Sequence, residues 1–448
     1  MMRSLYAGVS GLQNHQTRMD VLSNNIANVN TTGFKKGRVT FQDMLSQTLT
    51  GAARPRDDKG GVNPQQVGLG MMTAAIDTIH TQGAMQVTGV NTDLAIMGEG
   101  MFILKRGDRS FYTRNGAFTI DKNGTLLNPA NGFKVQGWQS VTGPDGKQNI
   151  ETAATPSDIR IPVGDKDPAR STSNIQYHCN LRKTDETHQT DIEVYDNTGI
   201  ARQMRATMKR MGINQWQMTV DVPQATAGSV KVDVPGNNGA GQNNVFNLTF
   251  NDNGSLISVA DAQVAAGQTA DTLNTGELTA NVSFTYKGTG DADVNQTVKL
   301  HLGTSGLFDG ITQFESISTT KAIEQDGYTM GELEGFNIDD NGQVTGVYTN
   351  GNRKLLAQVA LAKFANVGGL EKAGESMYVE SNNSGRANIG EAGVSGRGKM
   401  KAGTLEMSNV DLSEQFVDMI VTQRGFQANS RGITTSDQML QEILSLKR

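Results

Sequence analysis

A single cysteine, Cys179, in a chain of 448 residues excludes an internal disulfide, so stability has to come from packing and assembly. Aromatic residues make up only 6% while glycine reaches 52, a mixture that favours short strands joined by turns over a large aromatic core. No run approaches the roughly eighteen apolar residues of a membrane span, and Arg3 leads into an amphipathic segment, so neither a membrane helix nor a cleaved secretion signal is expected. The five histidines, His15, His80, His178, His188 and His301, are scattered without metal-ligand spacing, so no metal is expected. There is no Gly-x-Ser-x-Gly elbow, the Gly-Val-Ser-Gly stretches at 8–11 and 393–396 lacking its second spacer. Walker and dinucleotide fingerprints are also missing, and carboxylate pairs such as Asp339-Asp340 fall in turns where solvation is their role. Neither an enzyme nor a cofactor is expected. A net charge of −5 argues against a nucleic-acid partner, and the one basic cluster, Lys35, Lys36 and Arg38, reads as a solvated turn.

What the chain does have is a heptad pattern at each end. Leu5, Val9, Leu12, Gln16, Met19, Ser23, Ile26 and Asn30 follow at alternating steps of four and three. So do Leu412, Phe416, Met419, Gln423, Phe426, Ser430, Ile433, Asp437, Leu440 and Leu444. Each series offers an apolar seam to a partner helix, and two seams at opposite ends suggest that they pair. Polar residues dilute both seams, so the pair needs neighbours, and helices that order only on assembly would suit such marginal seams. An ordinary helical pair closing a globular fold is the alternative.

Between the ends the text is strand-like. Asn30-Thr31-Thr32-Gly33 reads as the stop of the first helix, and 34–70 as an extended linker or arm. A weak repeat, FTIDKNGTLLN from Phe118, LTFNDNGSLIS from Leu248 and FNIDDNGQVTG from Phe336, sets Asn-Gly between apolar half-strands and predicts hairpins. A calcium loop fits it poorly, because the glycine comes too early and no glutamate closes the loop. The expected fold class is mainly β with α-helical termini, the N- and C-terminal helices paired as a coiled coil and β-rich domains inserted between them. The expected domains are a terminal helical domain of 1–33 and 404–448, a β-rich middle domain of 71–145 and 321–403, and an inserted outer β-rich domain of 146–320. Within the last, Gly/Asn/Gln-rich text at 223–244 and Ala/Gln/Thr text at 259–275 reads as loops.

Cys179 stands in Tyr177-His178-Cys179-Asn180, where an imidazole neighbour can activate a thiolate. Loss of its sulfur would give dehydroalanine, open to attack by a lysine amine such as Lys166 in the turn Gly164-Asp165-Lys166-Asp167-Pro168. A small apolar core residue is the other reading.

Leu22-Ser23-Asn24-Asn25-Ile26-Ala27-Asn28-Val29-Asn30-Thr31-Thr32-Gly33-Phe34-Lys35 resembles the N-terminal signature of bacterial flagellar axial proteins, the rod, hook and hook-junction family. Gly403-Thr404-Leu405-Glu406-Met407-Ser408-Asn409-Val410-Asp411-Leu412 and Met419-Ile420-Val421-Thr422-Gln423-Arg424-Gly425-Phe426 resemble its C-terminal signature, and Thr92-Asp93-Leu94-Ala95-Ile96-Met97-Gly98-Glu99-Gly100 its first core motif. Length and a large central insertion point to the hook type, with the shorter distal rod type as the runner-up and a secreted β-rich adhesin or enzyme further behind. The resemblance implies a self-assembling curved tube acting as a universal joint between motor and filament. It implies contact with copies of itself, with distal rod, hook cap and hook-filament junction proteins, and with the flagellar type III export apparatus. The implied location is the flagellar hook, periplasmic in a spirochete and extracellular otherwise. Cys179-Asn180 with upstream Lys166 resembles the lysinoalanine site of spirochete members, which would make Cys179 the dehydroalanine precursor, Lys166 the attacking amine and Asn180 an assisting residue; apart from the resemblance, adjacency makes His178 either a base or an exposed bystander. The seams would build the inner tube, and the polar faces bearing Ser10, Gln13, Asn14, Thr17, Asn24 and Asn28 would line its channel.

Overall fold

A computed structural model describes residues 2–52, 54, 60–143, 148–162, 164–235, 243–261, 276–288 and 293–446. Forty-seven per cent of the described residues are in β-structure, with one long helix at each end. The chain divides into two compact units, one of residues 1–163, 335–347 and 353–448 and the other of 164–334 and 348–352.

In the first unit, α1 spans Met2–Ala27 and α2 spans Leu412–Leu446. Asp411 caps α2, its carboxylate accepting the N–H groups of Ser413 at 2.8 Å and Glu414 at 3.3 Å, donors that the first helical turn leaves unpaired. After α1 the chain turns at Gly33, whose φ of 69° is left-handed and whose missing Cβ would lie 2.5 Å from the Asn115 nitrogen. The arm expected over 34–70 is partly sheet: Gly37–Asp43 pairs antiparallel with Met71–Thr78, and Ser46–Thr50 with Gln65–Gly68. The alternation of Val39 and Phe41 gives the first of these strands a side to turn toward α1, where Phe41 meets the His15 ring edge-on at 6.0 Å. The unit's main antiparallel sheet runs in the order Arg353–Val359, Lys134–Thr142, Met101–Arg106, Arg109–Thr113, Met377–Val379. Phe102 and Phe118, both fully buried, meet edge to face at 5.1 Å in its core.

The second unit is a β-sandwich. One sheet orders Lys231–Asp233, Glu277–Lys287, Asp293–Thr304, Asn174–Asn180 and Ile311–Thr312, with Thr319–Gln325 on the other side of Asn174–Asn180. The other is a five-stranded antiparallel sheet from Thr187–Tyr195 to Leu256–Asp261, its third and fourth strands separated in sequence by Lys231–Asp233 of the first sheet. Strict alternation, as in Glu277–Lys287, sends Leu278, Ala280, Val282, Phe284 and Tyr286 inward against Met204, Trp216 and Phe246 of the facing sheet. Each large apolar side chain so buried contributes about 1.5–3 kcal/mol.

This unit begins at 164, not 146, because Gln148–Ile150 and Ser157–Asp158 pair with Lys134–Thr142 of the first unit. Of the stretches read as loops, Lys231–Asp233 is a strand and 259–261 completes another, while 236–242 and 262–275 lie outside the described residues.

The Asn-Gly repeats are turns of one recurring design. Asp121 accepts the N–H groups of Asn123 and Thr125, and Asp339 those of Asn341 and Gln343. Gly124, Gly254 and Gly342 follow with φ of 81°, 89° and 76°. In the copies at Asp121 and Asp339 the first acid is therefore an acceptor for its own loop, whereas in the copy from Leu248 Asn251 takes that position and Asp252 accepts from the Asn214 amide. A fourth copy, Asp196-Asn197-Thr198-Gly199, was hidden by the absence of Asn-Gly.

Candidate functional site

The two helices lie antiparallel, as their contacts show. Ser4 Oγ meets Ser436 Oγ at 3.5 Å, Arg18 meets Asp418 at 3.1 Å, and Asn25 donates to Gln415 at 2.9 Å. Between them, a Cβ on Gly8 would stand 3.0 Å from Ile433, one on Gly11 2.5 Å from the Asn429 amide, and one on Gly425 2.9 Å from the His15 ring. Apart from the seam residue Ile433 against Gly8, the contact series 4, 8, 11, 15, 18, 25 and 415, 418, 425, 429, 436 is heptad-like. It runs one residue ahead of the seams read from the sequence, a rotation of about 100° for each helix. Glycines permit close approach on that face, and its serine, asparagine and glutamine side chains satisfy one another there.

The apolar series is consequently left at the flank or outside. Val9, Leu412, Phe416 and Phe426 are exposed, whereas Leu5, Leu12, Met19, Ile26, Met419, Ile433 and Leu440 are half-buried. The Leu444 side chain lies outside the described residues. Val417, Ile420 and Val421, absent from the heptad series, add to the outward apolar face of α2 at 61%, 51% and 55% exposure. Nor are all the polar residues of α1 free to line a channel. Asn14 donates to the Met71 carbonyl and accepts from Thr73, and Ser10 Oγ accepts the Met71 N–H, so these two hold the strand Met71–Thr78.

At the root of the helices both terminal signatures converge. Lys35, expected as a solvated cation, is fully buried, with Nζ 2.6 Å from Glu406 Oε1 and 2.7 Å from the Thr81 carbonyl. Arg114 reaches Glu406 Oε2 at 3.2 Å and the Gly98 carbonyl at 2.6 Å. Glu406 also accepts the Gly83 N–H at 2.9 Å. Lys36 and Arg38 are paired too, with Glu414 and Asp77. Burial lowers the Lys35 pKa despite Glu406, and burial together with Lys35 and Arg114 pushes His80 down to about 4. Asn409 closes the joint, accepting the Lys36 N–H and donating to the Ile79 carbonyl. Asn25 likewise brackets Gly37, donating to its carbonyl and accepting its N–H.

In the second unit Cys179 is buried in the sandwich core beside Tyr177, and burial pushes its thiol up to about 12, so the sulfur is a protonated thiol at neutral pH. Alternation along the strand puts His178 and Asn180 on the face opposite the thiol. His178 therefore does not sit against the sulfur as a base. The Asn180 side chain instead accepts the Phe314 N–H at 2.8 Å and donates to Ser316 Oγ and the Ser316 carbonyl, at 2.9 and 3.0 Å. Lys166 is exposed on a separate short strand, paired by register with Glu332 and 3.7 Å from its carboxylate.

Comparison with known proteins follows this division. The family described as "Flagella basal body rod protein" matches residues 5–35, and "Flagellar basal body rod FlgEFG protein C-terminal" matches 401–446. "Flagellar hook protein FlgE/F/G D1 domain" matches 95–169, and "Flagellar basal body protein FlaE D2 domain" matches 165–328. The chain is 51% identical to the flagellar hook protein FlgE of Treponema pallidum over 471 residues and 50% identical to that of Borreliella burgdorferi over 464, all of both chains being covered each time. The crystal structure of the Helicobacter pylori flagellar hook protein FlgE2 superposes with a TM-score of 0.51 at 13% identity, covering 70% of this chain and 99% of that one, a likeness of fold.

Proposed function

This chain belongs to the flagellar hook protein family and is a structural subunit of the hook, not an enzyme, and we propose that it polymerises through the outward apolar faces of α1 and α2 into a curved, flexible tube. The observation that carries this reading is the offset of the helix contact. The small and polar residues are largely spent inside the chain, and Val9, Leu412, Phe416, Val417, Ile420, Val421 and Phe426 remain exposed for neighbouring copies. Repeated around an axis, such faces would bury one another as an inner layer. The tube then transmits torque from motor to filament while its outer contacts exchange as it bends. Distal rod, hook cap and hook-filament junction proteins would meet its ends, and the type III export apparatus would deliver the chain. A periplasmic location for this hook is part of the proposal, supported by the likeness to spirochete hook proteins.

The test is Phe416→Glu with Val417→Glu. Both side chains are at least half exposed, so the monomer should keep its melting behaviour while sedimentation shows no polymer. Polymer of ordinary yield from the doubly charged variant would sink the reading.

The same proposal includes a covalent join between copies. A base removes the Cys179 Cα proton, the Cβ–S bond breaks, and the sulfur departs as hydrosulfide. The neutral amine of Lys166 from a neighbour then adds to Cβ and Cα regains a proton, for a net loss of hydrogen sulfide. Because the thiol is buried and protonated, the join needs the edge of the strand Asn174–Asn180 to open first. Cys179→Ala should therefore assemble but give polymer that dissociates in denaturant. A high-mass ladder that survives the substitution would eliminate this chemistry.

A further inference from the structure

A cavity of about 430 Å³ opens in the first unit beside Arg114, a member of the Lys35–Glu406–Arg114 cluster, and falls in the size range of small-ligand sites. Arg114, His80 and Lys363 lie on its wall, and Met101, Phe364 and Val367 give it an apolar side. Arg114, Met101 and Phe364 are each more than nine-tenths buried, so the floor lies inside the unit and admits a small molecule rather than a folded surface. The first core motif contributes Glu99 and Gly100 to the wall, and its Gly98 carbonyl accepts from Arg114 at 2.6 Å.

The charge along this wall is unbalanced. Lys35 and Arg114 share the single carboxylate of Glu406, which leaves one buried positive charge in excess. Glu406, Gly98 and Ile96 together take three of the five Arg114 N–H groups. His80 supplies no anion: burial, with Lys35, Arg114 and Lys372 around it, keeps the ring neutral at pH 7. The His80 ring packs on Tyr378 at 5.3 Å, and its Nδ1 is buried without a hydrogen-bond partner. Among the lining residues the one carboxylate is Glu99, 71% exposed, which meets Lys363 Nζ at 2.7 Å. Lys363, with Arg114 adding to it, holds the Glu99 carboxyl below the usual carboxylate range, so both cations act on the place where that anion sits.

We infer that this cavity binds a small organic acid, its carboxylate taken by Arg114 and Lys363 and its apolar body lying against Met101, Phe364 and Val367. A buried cation in excess of its partners is stabilised by an added anion, and a charge-assisted hydrogen bond to guanidinium or ammonium is the contact a carboxylate makes best. A compact oxyanion would meet the charge but leave the apolar side wet. Glu99 is the anion that the ligand displaces from Lys363, swinging outward from a position that is already mostly exposed.

Titration of the full-length monomer at pH 7 with octanoate, against inorganic phosphate and 1-octanol, tests the site. Histidine ring nitrogen resonances give the readout: those of His80, assigned by their loss in His80→Gln, should move and saturate with octanoate, while those of His178 and His301 in the second unit stay in place. Phosphate and octanol, each lacking one half of the ligand, should bind at least roughly tenfold more weakly. Glu99→Gln should tighten octanoate and Lys363→Gln should weaken it about tenfold, opposite signs that a merely structural pair would not give. Ala365→Trp, at an exposed residue of the lining, should block binding with the fold intact. Octanoate that leaves His80 unmoved overturns the inference. So does octanol or phosphate binding as tightly as octanoate, the first removing the role of charge and the second that of the apolar side.

Discussion

Glu406→Gln is the substitution whose cost the structure defines most sharply. Glu406 is fully buried, and its two oxygens face the Lys35 ammonium at 2.6 Å and the Arg114 guanidinium at 3.2 Å. The cluster already carries one more positive than negative charge. An amide of the same shape would leave two buried cations facing each other with no anion between them. Removing one partner of a buried ion pair costs about 3–5 kcal/mol, and the full value applies at neutral pH. Lys35 limits the damage as pH rises. Its pKa in the folded state is already below the ordinary 10.5, by burial, and losing Glu406 lowers it further. Between the folded and unfolded values the unfolded chain binds the extra proton, so stability climbs with pH across that window, and the window is wider in the variant. The deficit relative to the unsubstituted protein should therefore shrink as pH is raised from 7 toward 10. Urea unfolding followed by hydrogen exchange resolves this by segment: protection should fall around 33–37 and 81–87, where the Glu406 contacts converge, while the second unit, which contains no member of the cluster, keeps its own. A deficit below about 1 kcal/mol that is independent of pH would refute the argument, because it would mean that the cations are solvated and not held by Glu406. Lys35→Met added to Glu406→Gln should recover part of the loss by removing one of the opposed charges.

Two further outcomes follow from local geometry. Gly33→Ala meets the Asn115 backbone as well as a left-handed φ, so it should cost about 1–3 kcal/mol in urea unfolding, whereas Gly228→Ala, at φ of 74° in open space, should cost only the backbone part, about 1 kcal/mol. Alkylation of Cys179 in the native monomer at pH 8 should be on the order of a thousandfold slower than in the urea-unfolded chain, since its thiol rises from 9.0 to about 12; equal rates would show that the thiol is not buried.

The residues of the two signatures were legible as recognisable text, yet their jobs were not. Asn25, Gly33, Lys35, Glu406 and Asn409 lie at opposite ends of the chain and meet only in the folded unit, where each answers a specific backbone or charge requirement of the other end. Lys35 looked like a solvated cation because nothing near it in sequence neutralises it; its partner is 371 positions away. The Asn-Gly turns were legible because their chemistry is local, the acid bonding amides two and four residues on. For the same reason the strands of the sandwich announced themselves by alternation, whereas their pairing across the sheet did not.

By itself the sequence determined that each end is an amphipathic helix with heptad spacing, that the middle is β-rich, and that one thiol is available for any sulfur chemistry. These properties depend on neighbours a few residues apart. Only the tertiary structure decided which face of each helix is used within the chain, because that choice compares distant alternatives: glycines and paired polar groups admit a closer approach than the leucine and phenylalanine seams, and the apolar faces are left for other molecules. Only the tertiary structure, likewise, buried the thiol and set Asn180 against the loop beside it.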